Sequence, residues 1–327
     1  MKALVLKSYD VKRYDLEDVP VPSLNDNEVL VKIHASGVNP IDYMIRSGVA
    51  TYATPVLPAV LGTELAGEIV EVGSQVTKFK IGDEVYGLTG GVRGLQGTLA
   101  EYAAVDEDLL AIKPKNTTMK EAASLPLVFL TAWEGLIDQA KVKAGNNVLV
   151  QGGAGGVGHM VVQLAKAMGA NVYATSSSKK LELIQKFGAT PIDYNLLTPE
   201  QYSQKYTDGK GFDIIYDTVG GETLQASLSI VKPYGHITSC FAFSEINLAP
   251  SSLRCATVSG VFVLLPMLSG QGRKHHGEIL EKLTQLVEGN KIQTCVDPRS
   301  FNLETALEAQ DAVENKSALI KVVIDVI

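Results

Sequence analysis

The chain has 327 residues, a length that allows one to three domains, and we expect two. Its hydrophobic fraction of 46% is that of an ordinary globular protein, and its net charge of −7 argues against a general binder of nucleic acid or membranes. No apolar run reaches the ~20 residues that span a bilayer. The chain starts without the apolar core of a signal peptide, and its three cysteines form no C-x-x-C pair. We therefore expect a reduced, cytoplasmic protein.

The first part of the chain is rich in short β-patterns. Segments 28–35, 67–73 and 81–87 show alternation of apolar and polar residues or follow turn signals, which predicts a small β-barrel or sandwich. After a polar linker at 269–274, two helical stretches precede a closing β-run at 319–324. We expect this run to return to the first domain, so that the middle of the chain is an insertion.

The middle of the chain alternates between strand and helix patterns. Predicted strands at 148–151, 171–175, 212–217 and 236–240 are separated by predicted helices at 157–168, 179–187 and 221–230. This βαβ rhythm is typical of an α/β domain with a doubly wound parallel sheet.

A glycine-rich turn follows the first of these strands. Gly153, Gly155 and Gly158 fit the G-x-G-x-x-G dinucleotide fingerprint, with the strand before it and an apolar helix after it. Glycine allows the backbone to turn sharply and lets main-chain N–H groups approach a pyrophosphate at the positive end of the helix. We predict that this loop, which also contains Gly156 and Val157, binds a nucleotide cofactor. The alternative is a tight βα turn without a ligand.

Five segments together resemble the medium-chain dehydrogenase/reductase superfamily, and its zinc-independent quinone oxidoreductase branch in particular. They are G-V-N-P-I-D at 37–42, L-G-T-E-L-A-G-E-I-V-E-V-G at 61–73, F-K-I-G-D-E-V at 79–85, the glycine loop at 152–158, and D-T-V-G at 217–220. The resemblance implies a GroES-like, β-rich catalytic domain at 1–123 and 267–327. It also implies a Rossmann NADP-binding domain at 124–266.

Zinc alcohol dehydrogenases of this superfamily hold their metal with a cysteine in the first motif and a His-Glu pair in the second. Here the first motif has Asn39 and Asp42, and the second has Thr63-Glu64; no cysteine precedes Cys240. A catalytic zinc needs three suitable ligands, so we predict a zinc-free protein. Without a Lewis acid, reduction of a quinone or an activated C=C bond is favoured over alcohol oxidation.

The second strand of the predicted nucleotide domain ends in Ser176-Ser177-Ser178-Lys179-Lys180. NAD-specific sites place an acidic residue here for the ribose hydroxyls, and none is present. Two lysines in the first turn of a helix oppose its dipole, which a bound 2′-phosphate would offset. These residues predict NADP(H). By the resemblance, Ser176, Lys180 and Tyr194 contact the phosphate; the alternative is a solvated lysine-rich surface.

On the substrate side, the resemblance implies that Asn39 hydrogen-bonds the nicotinamide ribose or the substrate. Related enoyl reductases carry a tyrosine in the loop that here contains Tyr52, although two extra residues separate it from Gly48. Tyr43 is the competing candidate. A phenol can donate a hydrogen bond to a developing oxyanion and can supply a proton. The alternatives are a partly buried aromatic residue for each tyrosine and a turn-forming role for Asn39.

Further cofactor contacts are expected at four positions. Val219 and Phe241 follow two strands at the carboxyl edge of the sheet, where a dinucleotide crosses. By the resemblance, Thr131 and Phe262 lie near the nicotinamide. The apolar run 258–265 predicts an exposed edge strand that a homodimer would cover. Many relatives carry a C-terminal Gly-Lys pair; this chain has Ile320-Lys321, so we do not carry that site over.

We predict an oxidoreductase that transfers hydride from NADPH to a small-molecule quinone or α,β-unsaturated carbonyl. Two alternatives stay open. One is an enoyl-thioester (CoA) reductase, and the other is a non-enzymatic NADPH-binding sensor that keeps the fold.

Overall fold

The computed structural model describes residues 1–9 and 14–327. They form two units, one made of Met1–Leu127 with Leu264–Ile327 and the other of Val128–Val263. The second unit is thus inserted into the first. In the part of the chain that is described, no helix is long and apolar enough to cross a membrane.

The secondary structure follows in chain order. The strands are β1 (Lys2–Leu6), β2 (Tyr14–Asp18), β3 (Glu28–Val38), β4 (Ala59–Val60), β5 (Glu64–Val72), β6 (Glu84–Leu88), β7 (Tyr102–Asp106), β8 (Leu110–Ile112), β9 (Asn147–Gln151), β10 (Asn171–Ser176), β11 (Thr190–Asp193), β12 (Phe212–Asp217), β13 (Val231–Ser239), β14 (Thr257–Gly260), β15 (Phe301–Asn302) and β16 (Val322–Asp325). The helices are α1 (Pro40–Arg46), α2 (Met119–Ala123), α3 (Pro126–Trp133), α4 (Gly156–Ala167), α5 (Leu181–Lys186), α6 (Pro199–Thr207), α7 (Gly221–Ile230), α8 (Ala249–Ser252), α9 (Leu265–Ser269), α10 (Arg273–Glu288) and α11 (Ala306–Glu314).

The first unit is built around the long strand β3. Its sheet has the order β15-β16-β3-β5-β6-β8, and β7 also pairs with β3. One edge of β3 pairs with β5, while the other edge pairs with β7 over Glu28–Lys32 and then with β16 over Ala35–Val38. The closing β-run, expected to return to the first domain, therefore lies antiparallel to β3. A smaller sheet with the order β2-β1-β4 completes the β-rich unit.

The second unit contains a parallel sheet of six strands in the order β11-β10-β9-β12-β13-β14. By position within the unit this is the order 3-2-1-4-5-6 of a doubly wound dinucleotide-binding fold, so the predicted α/β class is confirmed. The central strands are buried on both faces, as Leu149, Ile215 and Tyr216 show with no exposed side-chain surface. The buried Tyr216 hydroxyl donates to the Thr131 carbonyl at 2.6 Å and so ties β12 to α3.

The prediction of an edge strand over residues 258–265 is wrong in the length of the strand. Strand β14 ends at Gly260, and its Val258 side chain is 39% exposed. Val261 and Val263 are buried outside the sheet, and α9 begins just beyond them with Pro266 in its first turn. Apolar composition alone could not separate an edge strand from a buried connection. The exposed edge is limited to the four residues of β14.

Candidate functional site

The glycine loop joins β9 to α4. Gly152 turns the chain with a φ of 75°, a conformation that favours glycine. The Gly152 N–H donates to Thr175 Oγ1 at 3.0 Å, and the Gly153 N–H donates to the Thr175 carbonyl at 2.9 Å. Both bonds fasten the loop to the end of β10, so its shape is set by the sheet.

The loop also meets the steric and polar requirements of a pyrophosphate site. A Cβ on Gly158 would lie 2.1 Å from the Gly152 carbonyl oxygen, and one on Gly153 would lie 2.5 Å from the Ala174 side chain. Helix α4 begins at Gly156 with no side-chain cap, which leaves its first N–H groups for an anion. The predicted residues Gly153, Gly155, Gly156, Val157 and Gly158 are all in this loop and first turn. Their arrangement fits a dinucleotide.

Ser176 is the last residue of β10 and pairs in register with Asp193, the last residue of the neighbouring β11, which Tyr194 directly follows. Ser176 is almost fully buried and donates to the Ser177 carbonyl, whereas Tyr194 is 56% exposed. Lys180 ends a short 3-10 turn directly before α5 and is half-buried. The three predicted phosphate contacts therefore lie near the carboxyl ends of β10 and β11.

Asp193, which the sequence analysis did not single out, adds a carboxylate beside them. It accepts hydrogen bonds from the Ser178 hydroxyl at 2.5 Å and from Asn195 N–H at 2.9 Å. The Ser178 hydrogen bond is the main cause that lowers the pKa of this carboxyl. The carboxylate is thus held by neutral donors at the end of β11.

Asp217 organises the carboxyl ends of β12 and β13. Its two oxygens accept from Val219 N–H at 3.1 Å, Gly220 N–H at 3.0 Å and the Ser239 hydroxyl at 2.6 Å. Burial raises the pKa of Asp217 above its ordinary value. Above this network, the predicted contacts Val219 and Phe241 are about half exposed at 46% and 48%. Their side chains are available at the edge where dinucleotides cross parallel sheets.

In the first unit, Asn39, Glu64 and Lys321 form a buried polar cluster. The Lys321 ammonium donates to Glu64 Oε1 at 2.7 Å, Asn39 Oδ1 at 2.6 Å and the Val38 carbonyl at 3.2 Å. Asn39 Nδ2 donates to Glu64 Oε1 at 2.7 Å, and the Leu127 N–H donates to Glu64 Oε2 at 2.7 Å. The three side chains are at most 4% exposed.

Asp42 lies beside this cluster in the first turn of α1, which Pro40 begins. Its Oδ2 accepts from the Asn39 N–H at 2.7 Å. Burial, strengthened by the charge of Glu64, raises the pKa of Asp42 to about 7. Because burial penalises its charged form, the carboxyl group of Asp42 holds a proton into the neutral range.

Comparisons with known proteins agree with both units. The alcohol dehydrogenase GroES-like domain matches residues 25–115, and the zinc-binding dehydrogenase domain matches residues 156–267. A 2-methylene-furan-3-one reductase from Solanum lycopersicum is 38% identical over 97% of this chain and 76% of its own length. The chain belongs to the medium-chain dehydrogenase/reductase superfamily, in its quinone oxidoreductase branch.

Other members of the superfamily show the same likeness. An NADPH-dependent alkenal/one oxidoreductase of Arabidopsis thaliana, named as chloroplastic, is 35% identical over 99% of this chain and 79% of its own length. A crystal structure of an alcohol dehydrogenase superfamily protein from Novosphingobium aromaticivorans has a TM-score of 0.97 and 47% identity, with 100% of both chains covered. The quinone oxidoreductase from Coxiella burnetii has a TM-score of 0.84 and 31% identity, covering 100% of this chain and 99% of its own. The chain is thus an oxidoreductase of a nicotinamide-dependent superfamily.

For this superfamily member, the two candidate tyrosines lie in different settings. Tyr43 is half-buried on α1, where burial and the charge of Glu314 raise the pKa of its phenol. Tyr52 follows α1 in a turn, its carbonyl accepts from Arg93 Nε at 3.1 Å, and burial raises the pKa of its phenol. Both phenols therefore keep their protons at neutral pH and could donate. The choice between them stays open.

The predicted nicotinamide contacts Thr131 and Phe262 are less exposed than Val219 and Phe241. Thr131 lies on α3 and is 4% exposed. Phe262 is half-buried between the buried Val261 and Val263, beyond the end of β14. Each belongs to the inserted unit, and their roles stay predictions.

Glu64 and Lys321 are the main functional candidates that the sequence analysis missed. The sequence analysis does not carry the Lys321 site over, because isoleucine precedes this lysine where many relatives have glycine. Lys321 offered a usable signal, because it is the one charged residue in the otherwise apolar run 319–324. A charge that is buried in such a run requires a partner of opposite sign.

Within residues 1–9 and 14–327, no three His, Cys, Asp or Glu side chains lie together as a possible metal site.

The close approach at Gly158 makes a first prediction. Gly158→Ala should lower stability by about 1 to 3 kcal/mol, because the added Cβ collides with the Gly152 carbonyl oxygen. It should also weaken dinucleotide binding by tenfold or more, roughly, since the loop must widen at the helix N-terminus. Thermal unfolding and calorimetric titration measure the two effects. The matched control is Gly94→Ala, whose Cβ would meet open space, and equal effects of both substitutions would contradict the assignment.

The buried Asp42 makes a second prediction. Its pKa of about 7 exceeds the ordinary 3.8, so between these values the native state binds more protons than the unfolded state. Stability should therefore fall as pH rises from about 4 to 7 and level off above. Asp42→Asn keeps an acceptor for the Asn39 N–H and should remove this fall. Its free energy of unfolding relative to wild type should therefore be up to roughly 4 kcal/mol higher at pH 8 than at pH 4.

Urea unfolding across this pH range measures the effect. The control is Asp297→Asn, since hydrogen bonding to Arg299 lowers the pKa of Asp297 to about 2. The contribution of Asp297 to stability is lost only on acidification below about pH 3.8, so Asp297→Asn should lower the free energy of unfolding by a nearly constant amount from pH 4 to 8. Parallel pH profiles for wild type and Asp42→Asn would refute the buried-acid interpretation.

Proposed function

We propose that this protein is a zinc-free, NADPH-dependent oxidoreductase that transfers hydride to a quinone or an α,β-unsaturated carbonyl compound. The observation that carries the proposal is the buried cluster of Asn39, Glu64 and Lys321. It stands where zinc-dependent members of the superfamily supply metal ligands. The names of the tomato and Arabidopsis relatives support an enone substrate, and that of the Coxiella structure supports a quinone.

The donors in this cluster do not suit zinc. Asn39 and Thr63 stand in place of the cysteine and histidine, and only Glu64 is a good ligand. Its Oε1 already accepts from the Lys321 ammonium at 2.7 Å, and a second cation beside that ammonium would be repelled. The residues therefore favour chemistry in which hydrogen bonds, rather than a metal, stabilise the developing negative charge.

NADPH, when bound, supplies the hydride. Hydride addition to a conjugated carbon places negative charge on the carbonyl oxygen, or on a ring oxygen of a quinone. We assign Asn39 to donate to that oxygen. Tyr43 or Tyr52 would supply the proton that completes the reduction, since both phenols hold theirs at neutral pH.

The cofactor assignment rests on the inserted unit. We assign the pyrophosphate to the glycine loop and the start of α4, and the 2′-phosphate to Ser176, Lys180 and Tyr194. The proposed nicotinamide contacts are Thr131, Val219, Phe241 and Phe262.

Two further features belong to the same proposal. The exposed edge of β14 would pair with its copy across a two-fold axis to form a homodimer, which the mass of the native protein in solution tests. The net charge of −7 supports small-molecule partners over nucleic acid or anionic membranes. A cytoplasmic location stays a prediction.

Turnover of a small acceptor panel tests the activity. Purified protein should oxidise NADPH in the presence of a benzoquinone, phenanthrenequinone or an alkyl enone, and should do so better than NADH. A strong preference for crotonyl-CoA would instead establish the enoyl-thioester reductase, and tight NADPH binding without turnover would establish the sensor. About one zinc per chain in metal analysis would contradict zinc-free chemistry.

Cofactor selectivity gives a separate prediction. Lys180→Ala should weaken NADPH binding by about 10- to 100-fold and leave NADH binding unchanged, because only NADPH has the phosphate that the ammonium would contact. Fluorescence titration with each nucleotide measures this. Lys186→Ala, at the far end of α5, is the matched control and should change neither affinity. A loss of both affinities in Lys180→Ala would refute the phosphate assignment.

A further inference from the structure

The Lys321 ammonium has no hydrogen left to donate to a substrate. It carries three hydrogens, and three acceptors lie within reach: Glu64 Oε1, Asn39 Oδ1 and the Val38 carbonyl. Any effect of Lys321 on the reaction must therefore pass through a residue that it holds.

Asn39 is that residue, because both ends of its amide are fixed by charge. Oδ1 accepts from the ammonium at 2.6 Å, and Nδ2 donates to the Glu64 carboxylate at 2.7 Å. A flipped amide would direct its NH2 group at the ammonium and its oxygen at the carboxylate, and both contacts would be repulsive in a buried site. The cluster therefore selects one amide orientation.

In that orientation Asn39 can act toward a ligand only as a donor. The amide nitrogen has two hydrogens, of which Glu64 accepts one. Among the described residues, no acceptor is found for the second hydrogen, although Asn39 is only 1% exposed. A buried donor without a partner is costly unless a ligand supplies an acceptor.

We infer that Lys321 is a positioning residue, which together with Glu64 locks the Asn39 amide as a hydrogen-bond donor to the oxygen of the reacting substrate. This inference rests on the proposed function and assigns Lys321 and Glu64 a role in it. The acceptor must carry an oxygen conjugated with the carbon that receives hydride, as in an enone or a quinone.

The test removes the two charges together. Lys321→Met alone would leave the Glu64 carboxylate buried without a cation and would endanger folding. The double variant Lys321→Met with Glu64→Gln is neutral and nearly isosteric. It is made in the wild-type background and in an Asn39→Ala background, and thermal unfolding establishes that each variant is folded.

The expected result is strong non-additivity. In the wild-type background, the double variant should lower kcat with the best quinone or enone by about 10- to 100-fold. The dissociation constant for NADPH should change by less than about twofold. In the Asn39→Ala background, the same pair of substitutions should cause no further loss, because the residue through which they act is gone.

A second readout does not depend on turnover. In the apoprotein, the two side-chain amide protons of Asn39 should resonate away from the values of a solvated amide in nuclear magnetic resonance spectra of 15N-labelled protein, where they are assigned by their loss in Asn39→Ala. The double variant should bring them toward the values of a solvated amide, since the fixed orientation is lost.

The matched control removes another ion pair of the same unit. Lys120 and Asp325, on α2 and β16, pair at 2.9 Å and are partly exposed. The variant Lys120→Met with Asp325→Asn should keep wild-type kcat.

Three results would overturn the inference: an equal loss of kcat in both backgrounds, a loss that lies wholly in NADPH affinity, or an unchanged Asn39 resonance pair. Failure of the proposed function is distinguishable, because then wild type itself would not reduce any quinone or enone.

Discussion

The ion pair between Lys321 and Glu64 is the interaction on which the first unit depends. It joins a residue beside the last strand to the first residue of β5, across 257 positions of sequence. Both groups are buried, so each charge would be strongly destabilising without the other. The register of β16 with β3 places Val322 opposite Val38 and thereby delivers the cation next to Asn39. The pairing of β16 with β3 consequently also sets the geometry of the buried cluster of Asn39, Glu64 and Lys321.

The two units neutralise their buried carboxylates differently. In the first unit a single ammonium serves Glu64, and the neighbouring Asp42 adapts by holding a proton. In the second unit, Asp217 accepts its hydrogen bonds from backbone N–H groups and a hydroxyl rather than from a cation. Neutral donors shape the loops there without adding positive charge. In the proposed binding mode, the N-terminus of α4 and the lysines before α5 are the features that attract the anionic cofactor.

The sequence was informative where local chemistry determines structure. The glycine loop, the alternation of strands and helices, and the end of β12 at Asp217 followed from turn residues and apolar periodicity. The sequence was less informative where tertiary contacts determine the length of an element or the partner of a side chain. The length of β14 depends on where Val261 becomes buried, and the importance of Lys321 depends on pairing with a residue far away in the chain. Asp193 was missed because its role comes from the lateral pairing of β10 with β11.

The insertion of one unit within the other has a consequence for the order of folding. The second unit is contiguous from Val128 to Val263, so all its strands can meet as soon as that stretch exists. The first unit cannot complete its sheet until β16 is made, and before that Glu64 has no cation to accompany it into the interior. Its closing contacts also span the whole insertion in sequence, and contacts of such large sequence separation form slowly. The first unit, whose N-terminal segment is synthesised first, therefore completes its fold last.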